Sequence, residues 1–424
     1  MPSFPRRRES SQLNAGFRVK PGMTKLGLIE VAEMNENTMT KTCDIAIIGG
    51  GPVGAALALA LRGSKLKVCV LEARPAASAS NDARALALSY GSRLLLARLG
   101  VWDALHDVSA IRTIHISQKE SFGRAVLRAA ELNVPELGYV LPYTALHDAL
   151  THALQHSDVA SIYGASVTQL SSSADHAAIS YQQNGAEHTL HTRLAVVADG
   201  GKLLAQQFPP EVHDYGQSAL ITHITCSAPK PNIAFERFTP QGPLALLPFK
   251  QGYELVWTAP HQVAQEMLTW DDSHFLHKLH QHFGDRVGEF LTVSKRTCFA
   301  LGLKRAPQQT PMPHTVLLGN AAQTMHPVAG QGFNMGLRDA WELAQEILDA
   351  APEALGTEAM LAAYRSQRRT DREAGIRFTD GLVRLFSNDL PLVSAGRAAS
   401  LTALDCLPFA KKFVAKRMMF GANG

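Results

Sequence analysis

The chain has 424 residues, of which 46% are hydrophobic and 18% charged, a globular composition long enough for two or three packed domains. Its formal net charge is +4, but residues 1–41 carry seven Lys/Arg against four Glu, so the body is nearly neutral and the basic balance does not indicate nucleic-acid binding. Five scattered cysteines with no CxxC pair argue against a disulfide framework or a zinc site and suit a reducing, cytoplasmic compartment.

Residues 1–40 contain Arg6-Arg7-Arg8 but no apolar stretch of a secretory signal, and acids interrupt any presequence pattern. They read as a non-native or upstream-start extension, with Met39 the natural first residue. The apolar run Cys43–Ile48 leads into Gly49-Gly50-Gly51-Pro52-Val53-Gly54. Ala55–Leu61 then supplies strong helix formers, and Lys67–Leu71 is a second apolar run ending at Glu72. Glycines and a proline at the turn make this a βαβ unit and not a membrane span. Ala177–Gln182 and Glu187–His191 flank Asn184-Gly185, the signature of a type I′ hairpin. Leu194–Ala198 is a buried strand ending at Asp199-Gly200. Ala219–Ser227 alternates apolar and polar residues, and Leu244–Phe249 and Tyr253–Ala259 flank a Lys250-Gln251-Gly252 turn; together they predict an antiparallel sheet with one face free. From residue 333 the pattern is helical, first over Phe333–Ala350, then over 358–386, then in shorter pieces.

Three motifs carry chemistry. Gly49, Gly51 and Gly54 form G-x-G-x-x-G. The first glycine permits the tight turn, the second lets the backbone approach a pyrophosphate, and the third lets helix and strand pack closely. The helix that follows aims free N–H groups and the positive end of its dipole at phosphates, and Glu72 stands where a carboxylate accepts ribose hydroxyls. An NAD-dependent dehydrogenase would use the same fingerprint. Val196-Val197-Ala198-Asp199-Gly200 read alone is a strand and a turn. The third motif is Gly319-Asn320-Ala321-Ala322-Gln323, then His326-Pro327 and Gly330-Gln331-Gly332-Phe333-Asn334, between a strand at Thr315–Leu318 and a helix. Its glycines let a flat ligand lie on the backbone, and the helix start offers N–H groups to an electron-rich ring edge. A dehydrogenase leaves this third motif unexplained.

In this order the motifs resemble those of the class A flavoprotein monooxygenases, the group that contains para-hydroxybenzoate hydroxylase. Asn320 and Gln323 replace the usual Asp and His of that family. This variant, together with Asp82–Ser89, Glu236–Pro240 and Thr379–Phe386, is similar to the ubiquinone-biosynthesis hydroxylase branch, over roughly residues 41–420. The resemblance implies an α/β fold: a Rossmann-type FAD-binding domain (41–114 with 139–212 and 300–347), an inserted β-sheet substrate domain (115–138 with 213–299), and a helical C-terminus (348–424). It implies a single, permanently bound FAD held by Gly49, Gly51, Gly54, Glu72, Arg84, Asp199, Gly319, Asn320, Pro327, Gly330, Gly332, Phe333 and Asn334, with no metal. Arg84 read alone is equally a solvated arginine, and Asn320 offers the ribityl chain a hydrogen bond without the usual charge.

The chemistry implied is hydroxylation of an electron-rich phenol by O₂ through a flavin C4a-hydroperoxide, with NAD(P)H as donor and a polyprenyl phenol as substrate. A soluble phenol, another ring position, or a non-catalytic flavoprotein subunit are the alternatives. His326 is the weak candidate for a proton relay, against a packed histidine; Asp339 reads as a structural partner for a basic neighbour. Leu407–Phe420 mixes Phe409, Phe413, Val414, Met418 and Phe420 with Lys411, Lys412, Lys416 and Arg417. It reads either as a terminal helix packing its apolar side on the body or as a basic amphipathic helix on the inner face of the cytoplasmic membrane. The same resemblance implies association with other ubiquinone-biosynthesis proteins.

Overall fold

The computed structural model describes residues 41–76, 82, 84–326, 330–386 and 391–422. The expectations for residues 1–40 and for Pro327 fall outside these residues. The order begins β1 (Lys41–Ile48), α1 (Pro52–Leu61), β2 (Val68–Glu72), β3 (Ala85–Ser89), α2 (Tyr90–Arg98), β4 (Ser109–Ile111), β5 (Thr113–Gln118) and β6 (Arg124–Arg128). It continues with β7 (Gly138–Pro142), α3 (Tyr143–Gln155), β8 (Ala160–Tyr163), β9 (Ser166–Ser172), β10 (Ala177–Gln183) and β11 (Ala186–Val197). Next come β12 (Glu211–Cys226), β13 (Ile233–Thr239), β14 (Gly242–Phe249), β15 (Gly252–Pro260), α4 (His261–Thr269), α5 (Asp272–Phe283), β16 (Phe290–Val293) and β17 (Thr297–Arg305). The last elements are β18 (Thr315–Leu317), β19 (Gln323–Thr324), α6 (Gln331–Asp349), α7 (Glu358–Phe386), α8 (Pro391–Cys406) and α9 (Pro408–Phe420).

The first sheet runs β8-β2-β1-β11-β10-β9, with β18 also pairing β11. β8, β2, β1, β11 and β18 are mutually parallel, as the βαβ reading requires. Ile45, Ile47, Val70, Leu194 and Val196 are fully buried against α1 and α6, which explains their unbroken apolar runs. β10 and β11 form the expected hairpin, and Asn184 and Gly185 both take positive φ at its turn.

The second sheet runs β19-β17-β12-β15-β14-β13-β5-β6 with β16 on β12, and a small third sheet joins β3, β7 and β4. The antiparallel reading of β12, β14 and β15 holds, but the free face does not. α4 and α5 cover one side, where Ile224, Leu255, Trp257, Phe275 and Leu279 form a core, and the other side walls a cavity. The alternation in β12 marks two different buried environments, which residue types alone do not separate from one buried and one wet face.

α6 is bound to α7 by a buried charge network. Arg368 is fully buried. Its Nε donates to Asp339 at 2.8 Å, and its terminal nitrogens lie 2.6 Å from Asp339, 2.9 Å from Glu342 and 2.9 Å from Asp371. Arg338 reaches Asp371 as well, at 2.8 Å. Removing one partner from a buried cluster strands charges whose desolvation is then uncompensated. Arg368→Met is therefore expected to lower unfolding free energy by about 3–5 kcal/mol, measured by urea denaturation; a loss under about 1 kcal/mol would contradict this role for the network.

Candidate functional site

The carboxyl ends of β1, β11 and β18 lie side by side, and each carries one of the three motifs into the crevice where open α/β sheets bind ligands. The motifs touch one another through glycines. Gly49 has φ 107°, and a Cβ there would sit 2.6 Å from the carbonyl oxygen of Ala198. A Cβ on Gly54 would strike the carbonyl of Gly49. Gly319, with φ 56°, and Gly336 both press on Val53 of α1, and Gly201 lies against Asn320 and Ala321. Gly51 and Gly332 differ from these, because nothing lies within 4 Å of where their Cβ would be. Protein packing does not demand glycine at either place. Both stand at helix starts with no side-chain cap, so the first N–H groups of α1 and α6 remain available to a ligand.

The other expected site residues divide. Glu72 accepts from the N–H of Gly50 at 2.7 Å and from Nε of Arg74 at 2.9 Å. Burial pushes its carboxyl up, but the bonds from Arg74 and Gly50 outweigh this and hold it below the usual range, so it is ionised as a hydroxyl acceptor must be. A small cleft lined by Gly50, Glu72, Arg74, His147 and Tyr163 adjoins it. Asn320 is exposed at the crevice. Phe333 is half-buried in α6's first turn, and Gly330 holds the N-cap position with φ 61°. Arg84 pairs with Asp82 at 2.5 Å and lies over the ring of Phe299 on β17, at the junction of the sheets.

The side chains of Asp199 and Asn334 are committed to the protein. Asp199 accepts from the N–H groups of Gly201, Lys202 and Leu203, capping its own turn. Asn334 accepts from Ser89 N–H and Ser92 Oγ and donates to the carbonyls of Ala87 and Gly330, which ties β3 to α6.

An apolar cavity of about 260 Å³ opens beside α6's first turn. It lies between the inner face of the second sheet, the β3 strand and helices α7, α8 and α9, with walls that include Ile116, Phe238, Ala245, Leu401 and Met418. His326 and Glu236 are its titratable residues among the described ones. His326 is buried, stands 5.5 Å from the Tyr215 ring, and is pushed down to about 4 by burial, so it is neutral near pH 7.

Sequence reasoning missed three features. Gln323 is buried and bridges the charge network, donating to Asp339 at 2.8 Å and accepting from Arg372 at 2.9 Å. Glu236 stands out in the sequence only as part of a stretch similar to the ubiquinone branch; its placement between Ala234 and Phe238 on one face of a strand is the signal that points to it. α9 is part of the cavity wall: Ser89 Oγ donates to the Met419 carbonyl and Gln331 Nε2 to that of Met418. Lys411 does not belong to a membrane-facing stripe, because it is buried and paired with Glu131 and Asp405 at 3.2 Å each.

Comparisons with known proteins agree with this geometry. The family described as FAD binding domain matches residues 42–379. The chain is 32% identical to the ubiquinone hydroxylase UbiL of Rhodospirillum rubrum, over 89% of this chain and 90% of the relative. It is 33% identical to the 3-demethoxyubiquinol 3-hydroxylase of Escherichia coli, over 85% of this chain and 94% of the relative. Among solved structures, p-nitrophenol 4-monooxygenase PnpA from Pseudomonas putida superposes with a TM-score of 0.72 at 16% identity, over 90% of this chain and all of that one, which shows a shared fold.

The open space at Gly51 gives a sharp test. Gly51→Val is expected to fold with nearly unchanged thermal stability, since open space surrounds the position of its Cβ, yet to lose FAD because it occupies the pyrophosphate's approach. The flavin-to-protein ratio of the folded variant checks this; full occupancy would contradict it.

Proposed function

The chain belongs to the FAD-binding family of flavoprotein monooxygenases, with FAD as its cofactor, and we propose that its substrate is a membrane-dissolved polyprenyl phenol hydroxylated on the ring with one atom of O₂. The observation that carries this reading is the apolar cavity set against the start of α6. Within the ubiquinone branch, the sequence variant at Asn320 and Gln323 resembles the 2-octaprenyl-6-methoxyphenol hydroxylases. The relatives named above are a ubiquinone hydroxylase and a 3-demethoxyubiquinol 3-hydroxylase, which supports a related class of substrate here. NAD(P)H is the proposed electron donor.

In this reading the N–H groups of α1 hold the pyrophosphate, Glu72 the adenosine ribose, and Asn320 the ribityl chain. Bound and reduced, FAD supplies the activation of O₂. The rest is the protein's work. The uncapped N-terminal N–H groups of α6 would stabilise negative charge on a ring bound against them. The apolar walls keep water from the reacting oxygen and from the aromatic ring. Incubation of the purified, FAD-loaded protein with NADPH, ¹⁸O₂ and a prenylated methoxyphenol is expected to place a single heavy oxygen on the ring. Turnover of small soluble phenols in preference to prenylated ones would overturn the substrate assignment.

A long prenyl tail requires contact with lipid, and α9 offers a surface for it. Phe409 and Phe413 are 72% and 60% exposed beside the exposed Lys412, Lys416 and Arg417. No helix among the described residues is long and apolar enough to cross a membrane, so the proposed attachment is peripheral. Sedimentation with vesicles containing anionic lipid is expected to fall at high salt and to drop at least about five-fold in a Phe409→Ser, Phe413→Ser variant. Equal binding by wild type and variant would contradict it.

A further inference from the structure

We propose that Glu236 is the residue that receives the substrate's phenolic hydroxyl and thereby selects which ring carbon faces the FAD. The proposal rests on the reading of the apolar cavity as a phenol site. Glu236 lies mid-strand in β13, opposite Ile116 of β5 and Ala245 of β14. Strand alternation sends Ala234, Glu236 and Phe238 to the cavity side, while Phe235 packs on Phe283 and Arg237 donates to the His282 carbonyl on the far side. A carboxyl group thus stands on a sheet wall whose other lining side chains are apolar except for Thr258. Among the described residues none donates a hydrogen bond to it, and the residues of β5, β14, β15 and the C-terminal helices that face the cavity are uncharged.

Packing alone gives no reason to keep a carboxyl there, because a charged group facing an apolar cavity without a protein partner costs stability. A ligand hydroxyl would satisfy it. Glu236 is only half-buried as a residue, since the cavity itself reaches it, but its surroundings are low in polarity and push it up to about 7. His326, the other titratable group on the cavity, stays neutral down to about 4 and leaves this transition to Glu236. His115, Arg237 and Arg286 belong to the opposite, α5-covered side. In its carboxylate form Glu236 accepts a hydrogen bond from the phenolic O–H, which stays on the phenol; the bond draws that proton outward and raises electron density on the ring carbons ortho and para to the oxygen. The hydrogen bond also fixes the ring's rotation, so the carbon presented to the α6 end of the cavity is set by the protein.

The test uses oxidised, FAD-loaded protein without reductant, so that binding is read apart from turnover. The probes are 2-geranyl-6-methoxyphenol and its methyl ether, which lacks the donor, with dissociation constants taken from the perturbation of flavin absorbance. At pH 8 wild type is expected to prefer the phenol about ten-fold or more. That preference is expected to fall as pH drops through about 7, because the protonated carboxyl no longer discriminates a donor from an ether oxygen. E236A should bind both probes alike at every pH, and E236Q, whose amide oxygen still accepts, should retain part of the preference without the pH dependence. An unchanged phenol-to-ether ratio in both variants would overturn the role of Glu236 while leaving the prenyl-phenol reading intact. If wild type binds neither probe but binds 2-methoxyphenol with the same dependence on Glu236, Glu236 stands and the prenylated substrate falls.

Discussion

The position of α6 is the constraint on which the site depends. Its N-terminus must face the crevice, and three independent contacts hold it there. Arg368 binds it to α7 through Asp339 and Glu342, the glycines Gly319 and Gly336 let it press against Val53 of α1, and Asn334 ties its first turn to β3. Each contact is short-ranged and buried, so none adjusts without the others. The helix start is thereby fixed relative to both the dinucleotide end of the crevice and the apolar cavity. That fixity is what a preorganised electrostatic site needs, since dipoles that reorient during reaction stabilise little.

The two ends of the site use different physics. At the βαβ end, backbone N–H groups and the ionised Glu72 present polarity to a polar ligand, and glycine without packing neighbours preserves the approach. At the other end nearly every wall residue is apolar, and the C-terminal helix closes the space by clasping the carbonyls of Met418 and Met419 onto α6 and β3. Terminal segments are often dispensable to a core; here the last helix is part of the pocket. The same helix carries exposed Phe409 and Phe413 outward, so the cavity wall and the proposed lipid contact are two faces of one element.

Much of this was legible in the sequence. The parallel strands, the Asn184-Gly185 hairpin, and the helix over 358–386 follow from local patterns whose cause lies within a few residues. The glycine motifs were legible because backbone approach leaves no substitute for glycine. What sequence could not separate was function from structure among polar residues. Asp199 and Asn334 stand within motif stretches, yet their side chains serve the turn and β3. The role of Gln323 was not legible because its partners, Asp339 and Arg372, are distant in the chain. Glu236 acquires meaning only when β5, β14 and the C-terminal helices surround it.

The most direct measurement of the whole account is a crystal structure of the FAD-loaded protein with a prenylated phenol. The account predicts the pyrophosphate at the start of α1, the adenosine ribose on Glu72, the flavin ring at the start of α6, and the phenol in the cavity with its hydroxyl toward Glu236 and its tail leaving beside α9. A phenol bound outside the cavity, or a flavin ring far from Gly332, would contradict it.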